Sequence, residues 1–494
     1  MNRQPSSLTT PGEKSGRNQV ARVAPYQRPL RPIEWAVLLH VGSMVAFGTW
    51  AFGGGADWVR TALACWGSIS ILLLSMFVRD KANRAELGLR PLVWLWPLAA
   101  LNVLTLIACL SPSFRSVSLG METMLVRIER PAWLPSSARP ANAVYELWLF
   151  NALYLSAFNL LVLIRQRRAL RSLLIFMGAN ALALAVFGTL QELTHSPGLF
   201  FGLVPSPQEF FFASFIYHNH WGSFAVLMTA AALGLVWYFA RRREDRDFLH
   251  SPALTWIIIV LALAAAVPLS GSRSTSMLML LLLGGASLHV LARIVRRRRR
   301  FQESIFLPLA GAIAAGALAA GCVWFVARDS IAVRFEKTRE QLTTMKAEGT
   351  VGSRAILYRD TWHMARDKLW FGWGTGSYPH VFQLYQTIKS NPIDRLPIYY
   401  ADAHSDWLQS AAEHGLIGTA LLGLCALVPL AGLRARHFSR PIAAYLIVGC
   451  GLVLLYAWVE FPFGNAAVVL SWWLCFFSAV RYARLETYGE GAVR

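Results

Sequence analysis

Uninterrupted apolar stretches recur along this chain, each of about 17–24 residues, roughly what an α-helix needs to cross ~30 Å of hydrocarbon. Lipid offers no partner for backbone N–H and C=O groups, so an open spanning segment must satisfy them internally, as a helix does. A barrel strand would be shorter and would alternate apolar with polar residues, and none of these runs does so. Composition agrees: 55% of the 494 residues are hydrophobic and only 15% are charged, whereas soluble domains carry about 25% charged residues. The sequence excludes a water-soluble globule and predicts an all-α, polytopic membrane protein without strands.

Twelve spans are expected, over 35–53, 57–78, 91–110, 144–164, 172–191, 219–240, 253–269, 275–292, 305–327, 413–432, 441–459 and 463–480. Residues 1–33 are polar, basic and rich in Pro and Ser, and read as a disordered cytoplasmic tail. They are too long for a secretory n-region, so the first span is expected to stay as an anchor. Transmembrane helices one to nine then fill 34–327, an external loop 328–403, helices ten to twelve 404–480, and a second cytoplasmic tail 481–494.

The formal net charge of +20 would suggest nucleic acid in a soluble chain. In a membrane chain, basic loops on one side explain it, and no nucleic-acid partner is expected. Arg79, Lys81, Arg84 and Arg90 follow span two; Arg165, Arg167, Arg168 and Arg171 follow span four; Arg241, Arg242, Arg243 and Arg246 follow span six. The arginines at 296–300 follow span eight, and Arg434, Arg436 and Arg440 follow span ten. Odd-numbered exits such as 53–57 and 460–464 lack this charge. The positive-inside rule then puts both termini in the cytoplasm. Here the arginines act first as solvated topology signals, next to anionic membrane lipids. All six cysteines fall within spans and none forms a C-x-x-C, so they read as small core residues.

A connection as long as 328–403 is uncommon unless it has structure or function of its own. A helix is expected over 331–347, stopped at Gly349, and a second over 353–371. In the second, Leu357, Thr361, Ala365 and Leu369 stand four apart on one face, with Arg354, Tyr358 and Trp362 on an adjoining stripe. Loops of this kind concentrate functional residues, so the active site is sought here. At the loop's end His404 opens the helix of span ten. A helix N-terminus disfavours imidazolium and leaves a neutral ring that accepts a proton near neutral pH. The competing reading is an interfacial histidine that merely caps the helix. Arg273 lies between spans seven and eight, where an ionisable group is costly and by default a functional candidate. The alternatives are snorkelling to headgroups or pairing with an acid such as Glu192 or Glu460. Two guanidinium groups, Arg273 and Arg354, would clamp a pyrophosphate with bidentate hydrogen bonds.

These residues resemble the conserved region of the O-antigen ligase and O-antigen polymerase superfamily over spans seven to ten. The marks are Ser270-Gly271-Ser272-Arg273 opening a span, Gly352-Ser353-Arg354 in a long external loop, and His404-Ser405-x-x-Leu408-Gln409-x-x-x-Glu413-x-Gly415. Proline is usual before the glycines of the loop, where this chain has Leu369-Trp370-Phe371-Gly372-Trp373-Gly374-Thr375-Gly376. The first six spans match in number and length. The resemblance implies a metal-independent, inverting glycosyl transfer outside a bacterial inner membrane, with no cofactor. It implies a glycan donor on undecaprenyl pyrophosphate and a glycan or glycolipid acceptor, such as lipid A–core. Arg273 and Arg354 would bind the pyrophosphate, and His404 would deprotonate or orient the acceptor hydroxyl. Arg359 and Arg366 rival Arg354, and Gln409 and His218 are further candidate substrate contacts. Glu413 is nine residues beyond His404, about 180° round a regular helix, and is assigned to structure first. Asp402 and Asp406 are the candidates to hold the ring.

Other features read more plainly. Gly372-x-Gly374-x-Gly376 is expected to form a turn after a helix rather than a nucleotide cradle, since no strand precedes it. Asp245-Arg246-Asp247 reads as charge balance among arginines. His218-Asn219-His220 places its imidazoles on different helix faces, poorly suited to a metal. Trp370, Trp373, Tyr399 and Tyr400 suit sugar stacking or interfacial anchoring. The alternatives to a ligase are a polysaccharide polymerase and a protein O-oligosaccharyltransferase. From another class, a secondary transporter or flippase would show two matching halves, and no internal repeat is present.

Overall fold

The computed structural model describes residues 29–79, 90–119, 122–131, 133–241, 251–314, part of 316–339, 353–387 and 399–490. An apolar helix occupies each of the twelve expected positions: α1 Pro32–Trp50, α2 Asp57–Arg79, α3 Pro91–Leu110, α4 Pro140–Leu163, α5 Arg167–Leu193, α6 His218–Arg241, α7 Pro252–Leu269, α8 Arg273–Arg300, α9 Phe306–Leu318, α10 Asp406–Leu430, α11 Pro441–Tyr456 and α12 Ala466–Leu485. Ten of them are long and apolar enough to cross a membrane, α9 and α11 being shorter. The chain is an all-α polytopic membrane protein. Residues 1–28, Lys81, Arg84, Arg242, Arg243, Asp245-Arg246-Asp247, Cys322, Gly349, Gly352 and most of the helix expected over 331–347 lie outside the described residues.

α12 has no polar stripe and is buried round its whole circumference. It packs against α4, α11, α6 and α1. Its tryptophans set the layers of this core: Trp473 stands edge-on to Tyr154 at 4.7 Å and Trp472 stacks on Phe476 at 5.3 Å. The helix runs on to Glu490, through the stretch read from sequence as the start of a tail. Arg481 there is buried, and its Nε donates to the carbonyl of Ile164 just beyond α4, satisfying a helix-end acceptor. α8 is the converse, turning most of its apolar surface outward.

Two departures from the expected layout shape one end of the bundle. The exit of α3 carries an antiparallel strand pair, β1 (Phe114–Leu119) and β2 (Glu122–Arg127), with Phe114 opposite Arg127. No strand was expected, because each run is only six residues long and lies between spans rather than within one. The second departure lies within α10. Gly415 takes φ +64° and ψ −172°, breaking the helix that sequence reads as continuous. Around the break, Ala412 and Glu413 carbonyls accept from the N–H groups of Trp373 and Gly374, while Leu416 and Ile417 N–H groups donate to the carbonyls of Leu369 and Trp370. The loop thereby supplies the backbone partners that a helix turn would have supplied, as irregular backbone among apolar spans requires.

A helix over Ser353–Asp367, here the loop helix, precedes that stitch and ends four residues short of the expected 371. Its expected inner face is buried: Leu357, Thr361 and Ala365 join Met364, Trp373, Tyr378, Phe382 and Ala412 in a second small core. Trp373 is fully buried, donates Nε1–H to the carbonyl of Met364 at 2.9 Å and lies 6.2 Å from Phe114. It therefore cannot stack on a sugar, as the sequence allowed; Trp370 and Tyr399 are the exposed aromatics.

Candidate active site

The short turn between α11 and α12 projects one acid, Glu460, into the end of the bundle where the loop helix sits. Its side chain is 1% exposed. Four donors surround it: Arg354 Nη2 and Asn219 Nδ2 (3.0 Å) reach Oε1, while Tyr217 OH (3.3 Å) and His404 Nδ1 (3.4 Å) reach Oε2. Burial alone pushes a carboxyl up. The His404 hydrogen bond and the Arg354 charge outweigh it here and hold Glu460 below its ordinary range. An ionised carboxylate this deep requires such partners.

His404 precedes the helix rather than opening it. Ser405 is the N-cap, its side chain accepting from Leu408 N–H, and α10 begins at Asp406. His404 has φ +51°, a left-handed conformation rare for a non-glycine residue. Three contacts impose it: Tyr358 OH donates to the His404 carbonyl at 2.8 Å, Gln409 Oε1 accepts from Ala403 N–H at 3.0 Å, and Phe461 stands edge-on to the imidazole at 4.9 Å. Strain of this kind gathers where geometry matters for function. With Nδ1 donating to Glu460, the lone pair of the uncharged ring lies on Nε2.

Asp402 and Asp406, the expected ring holders, are engaged elsewhere. Asp406 accepts from Phe463 N–H at 2.9 Å, and Asp402 is hydrogen-bonded to Gln409, burial pushing its carboxyl above the ordinary value. Gln409, expected at the substrate, braces the turn that carries His404 instead. Glu413 accepts from Gly376 N–H (3.0 Å) and Tyr378 N–H (2.8 Å), so it fastens the glycine turn rather than His404. Gly372, Gly374 and Gly376 all have positive φ, and the turn follows a helix.

Arg354 lies beside Tyr358 on the adjoining stripe of the loop helix and is 49% exposed, so one edge of its fork faces Glu460 and the rest faces outward. Arg359 is turned to Asp360 (3.0 Å) and Thr387 (2.9 Å), and Arg366 is exposed. Arg273 is exposed at the first turn of α8. Its neighbours tie it to the cluster: Ser272 donates to Asn219, which binds Glu460, and Ser274 pairs with Tyr456 at 3.0 Å. His218 lies 3.1 Å from the Phe210 carbonyl, whereas His220 Nε2 lies 3.2 Å from the Phe461 carbonyl.

The structure thus gathers His404, Arg354, Tyr358, Asn219, Tyr217 and Glu460 from four separate segments. Sequence named Glu460 only as one possible counter-charge for Arg273. The signal was there, since Glu460 is an acid in an otherwise apolar turn, and such a residue is a functional candidate by default. Chemically, the cluster offers an imidazole fixed through one nitrogen and an adjacent half-exposed guanidinium. No curated protein matches the chain. Residues 257–423, which contain Arg273, Arg354, His404 and Glu413 but not Glu460, match the family described as O-antigen ligase, so about a third of the chain is similar to that family.

Proposed function

We propose that the protein transfers a glycan from undecaprenyl pyrophosphate to a sugar hydroxyl on a glycolipid such as lipid A–core, at the outer face of a bacterial inner membrane. The observation that carries this reading is the hold on His404, whose Nδ1 side is taken by Glu460 while its backbone is fixed by Tyr358. The acceptor hydroxyl gives its proton to Nε2 as its oxygen bonds to the anomeric carbon. The bond from that carbon to the pyrophosphate oxygen breaks on the opposite face, which inverts the centre. The pyrophosphate leaves with the electron pair, against Arg354 and Arg273, whose forks suit its paired oxygens. Glu460 keeps the ring in the accepting tautomer and offsets the imidazolium that forms. No step uses a metal.

The test is an assay with purified protein and a short undecaprenyl-pyrophosphate glycan, with chelator present. Three acceptors are offered: lipid A–core, a second lipid-linked glycan, and a hydroxyl-bearing protein. Transfer to lipid A–core that His404→Ala abolishes without loss of folded protein is the expected result. Transfer to one of the other two would make the enzyme a polymerase or a protein glycosyltransferase. Undiminished transfer by His404→Ala would remove the base assignment.

A further inference from the structure

At the end of the bundle opposite His404, α5, α6, α11 and α12 line an open cavity of ≈ 350 Å³. Ligand pockets typically hold about 300–1,000 Å³. Its lining is Arg167, Arg171, Arg241 and Arg440 around Tyr238, Tyr482, Pro441 and Ile442, and no acidic side chain lines it among the described residues. The floor (Pro441, Ile442, Tyr482) is buried, whereas Arg241 and Arg440 stand exposed at the rim. Two of the arginines make cation–π contacts: Arg171 Cζ lies 4.5 Å from the centre of the Tyr238 ring, and Arg167 Cζ 5.5 Å from that of Tyr482. A planar guanidinium presents its N–H donors in a fork that suits a phosphate. Two helix N-termini open here as well. α5 follows Gln166 and α11 follows Arg440, and neither cap residue makes a side-chain hydrogen bond to its helix. Their dipoles add positive potential at the cavity.

We propose that this cavity binds a phosphate-bearing anion, with the phosphate among the four arginines. The site is separate from the His404 cluster. A lipid headgroup and a free phosphate share this chemistry, and the experiment separates them. Full-length protein is placed in bilayer discs of phosphatidylcholine with or without phosphatidylglycerol, and retained lipid is counted by native mass spectrometry. In parallel, inorganic phosphate is titrated while the melting temperature is followed. Wild type is expected to retain phosphatidylglycerol preferentially, with Arg241→Gln/Arg440→Gln retaining at least tenfold less. Arg299→Gln/Arg300→Gln, which removes two exposed charges outside the cavity, should match wild type. The charge-preserving pair Arg241→Lys/Arg440→Lys should restore part of the retention, which guards against a folding defect. If inorganic phosphate raises the melting temperature of wild type but not of the Gln pair, the anion is a soluble phosphate. Equal losses in the cavity and control variants would show a diffuse surface charge and overturn the site. So would the absence of any response to either phosphatidylglycerol or inorganic phosphate.

Discussion

Glu460 is a buried acid whose charge is stabilised by four donors, so its removal is expected to be felt both in the fold and in the proposed reaction. Glu460→Gln preserves shape but takes the charge from His404 and Arg354, and is expected to lower kcat at least tenfold, about 1.4 kcal/mol of barrier. Its carboxyl sits lower in the folded protein than in the unfolded chain, so its contribution to stability is present above the unfolded value of about 4.3 and is lost as pH falls through the lower folded one. Melting temperatures of wild type and Glu460→Gln should therefore run parallel above about pH 5 and converge in acid. Curves that stay parallel throughout would refute the role given to its charge. Arg273→Lys should also impair transfer, because a point charge cannot replace a bidentate fork. Wild-type kinetics in that variant would make Arg273 structural.

At the scale of elements, what was legible in sequence followed from local rules. The spans are visible because burial in lipid demands unbroken apolar runs, and the loop helix because Leu357, Thr361 and Ala365 repeat at one turn's spacing. His404 and Arg354 are visible through their motifs. The strand pair, the break in α10 and the place of Glu460 were not, because each depends on contacts distant in sequence; Arg354 and Glu460 are 106 residues apart. Gly415 illustrates the difference. Its identity was evident, but the reason for it is the backbone of Trp370, whose carbonyl would lie 2.4 Å from an added Cβ, at a φ/ψ essentially reserved for glycine. Gly415→Ala is expected to destabilise the protein by about 1–3 kcal/mol and to lower its melting temperature, with the loop the first region to gain hydrogen exchange. An unchanged melting temperature would mean that the stitch bears no load.

For the molecule as a whole, the arginines that follow α4, α6 and α10 do more than alternate along the chain: Arg167, Arg171, Arg241 and Arg440 meet at one end of the bundle, opposite Glu460. Reporters fused after Arg300 should accordingly report cytoplasm, and after Gly349 the outside; the reverse pattern would invert the molecule. The stitched break in α10 also bears on how the chain is made. Residues 369–374 emerge from the ribosome before α10 does, yet four backbone groups around Gly415 have their partners among them. Each such group left bare in hydrocarbon costs several kcal/mol. α10 can therefore finish entering the bilayer only once the loop has folded back to meet it, so that insertion of the tenth span and assembly of the proposed reaction centre become a single event in biogenesis.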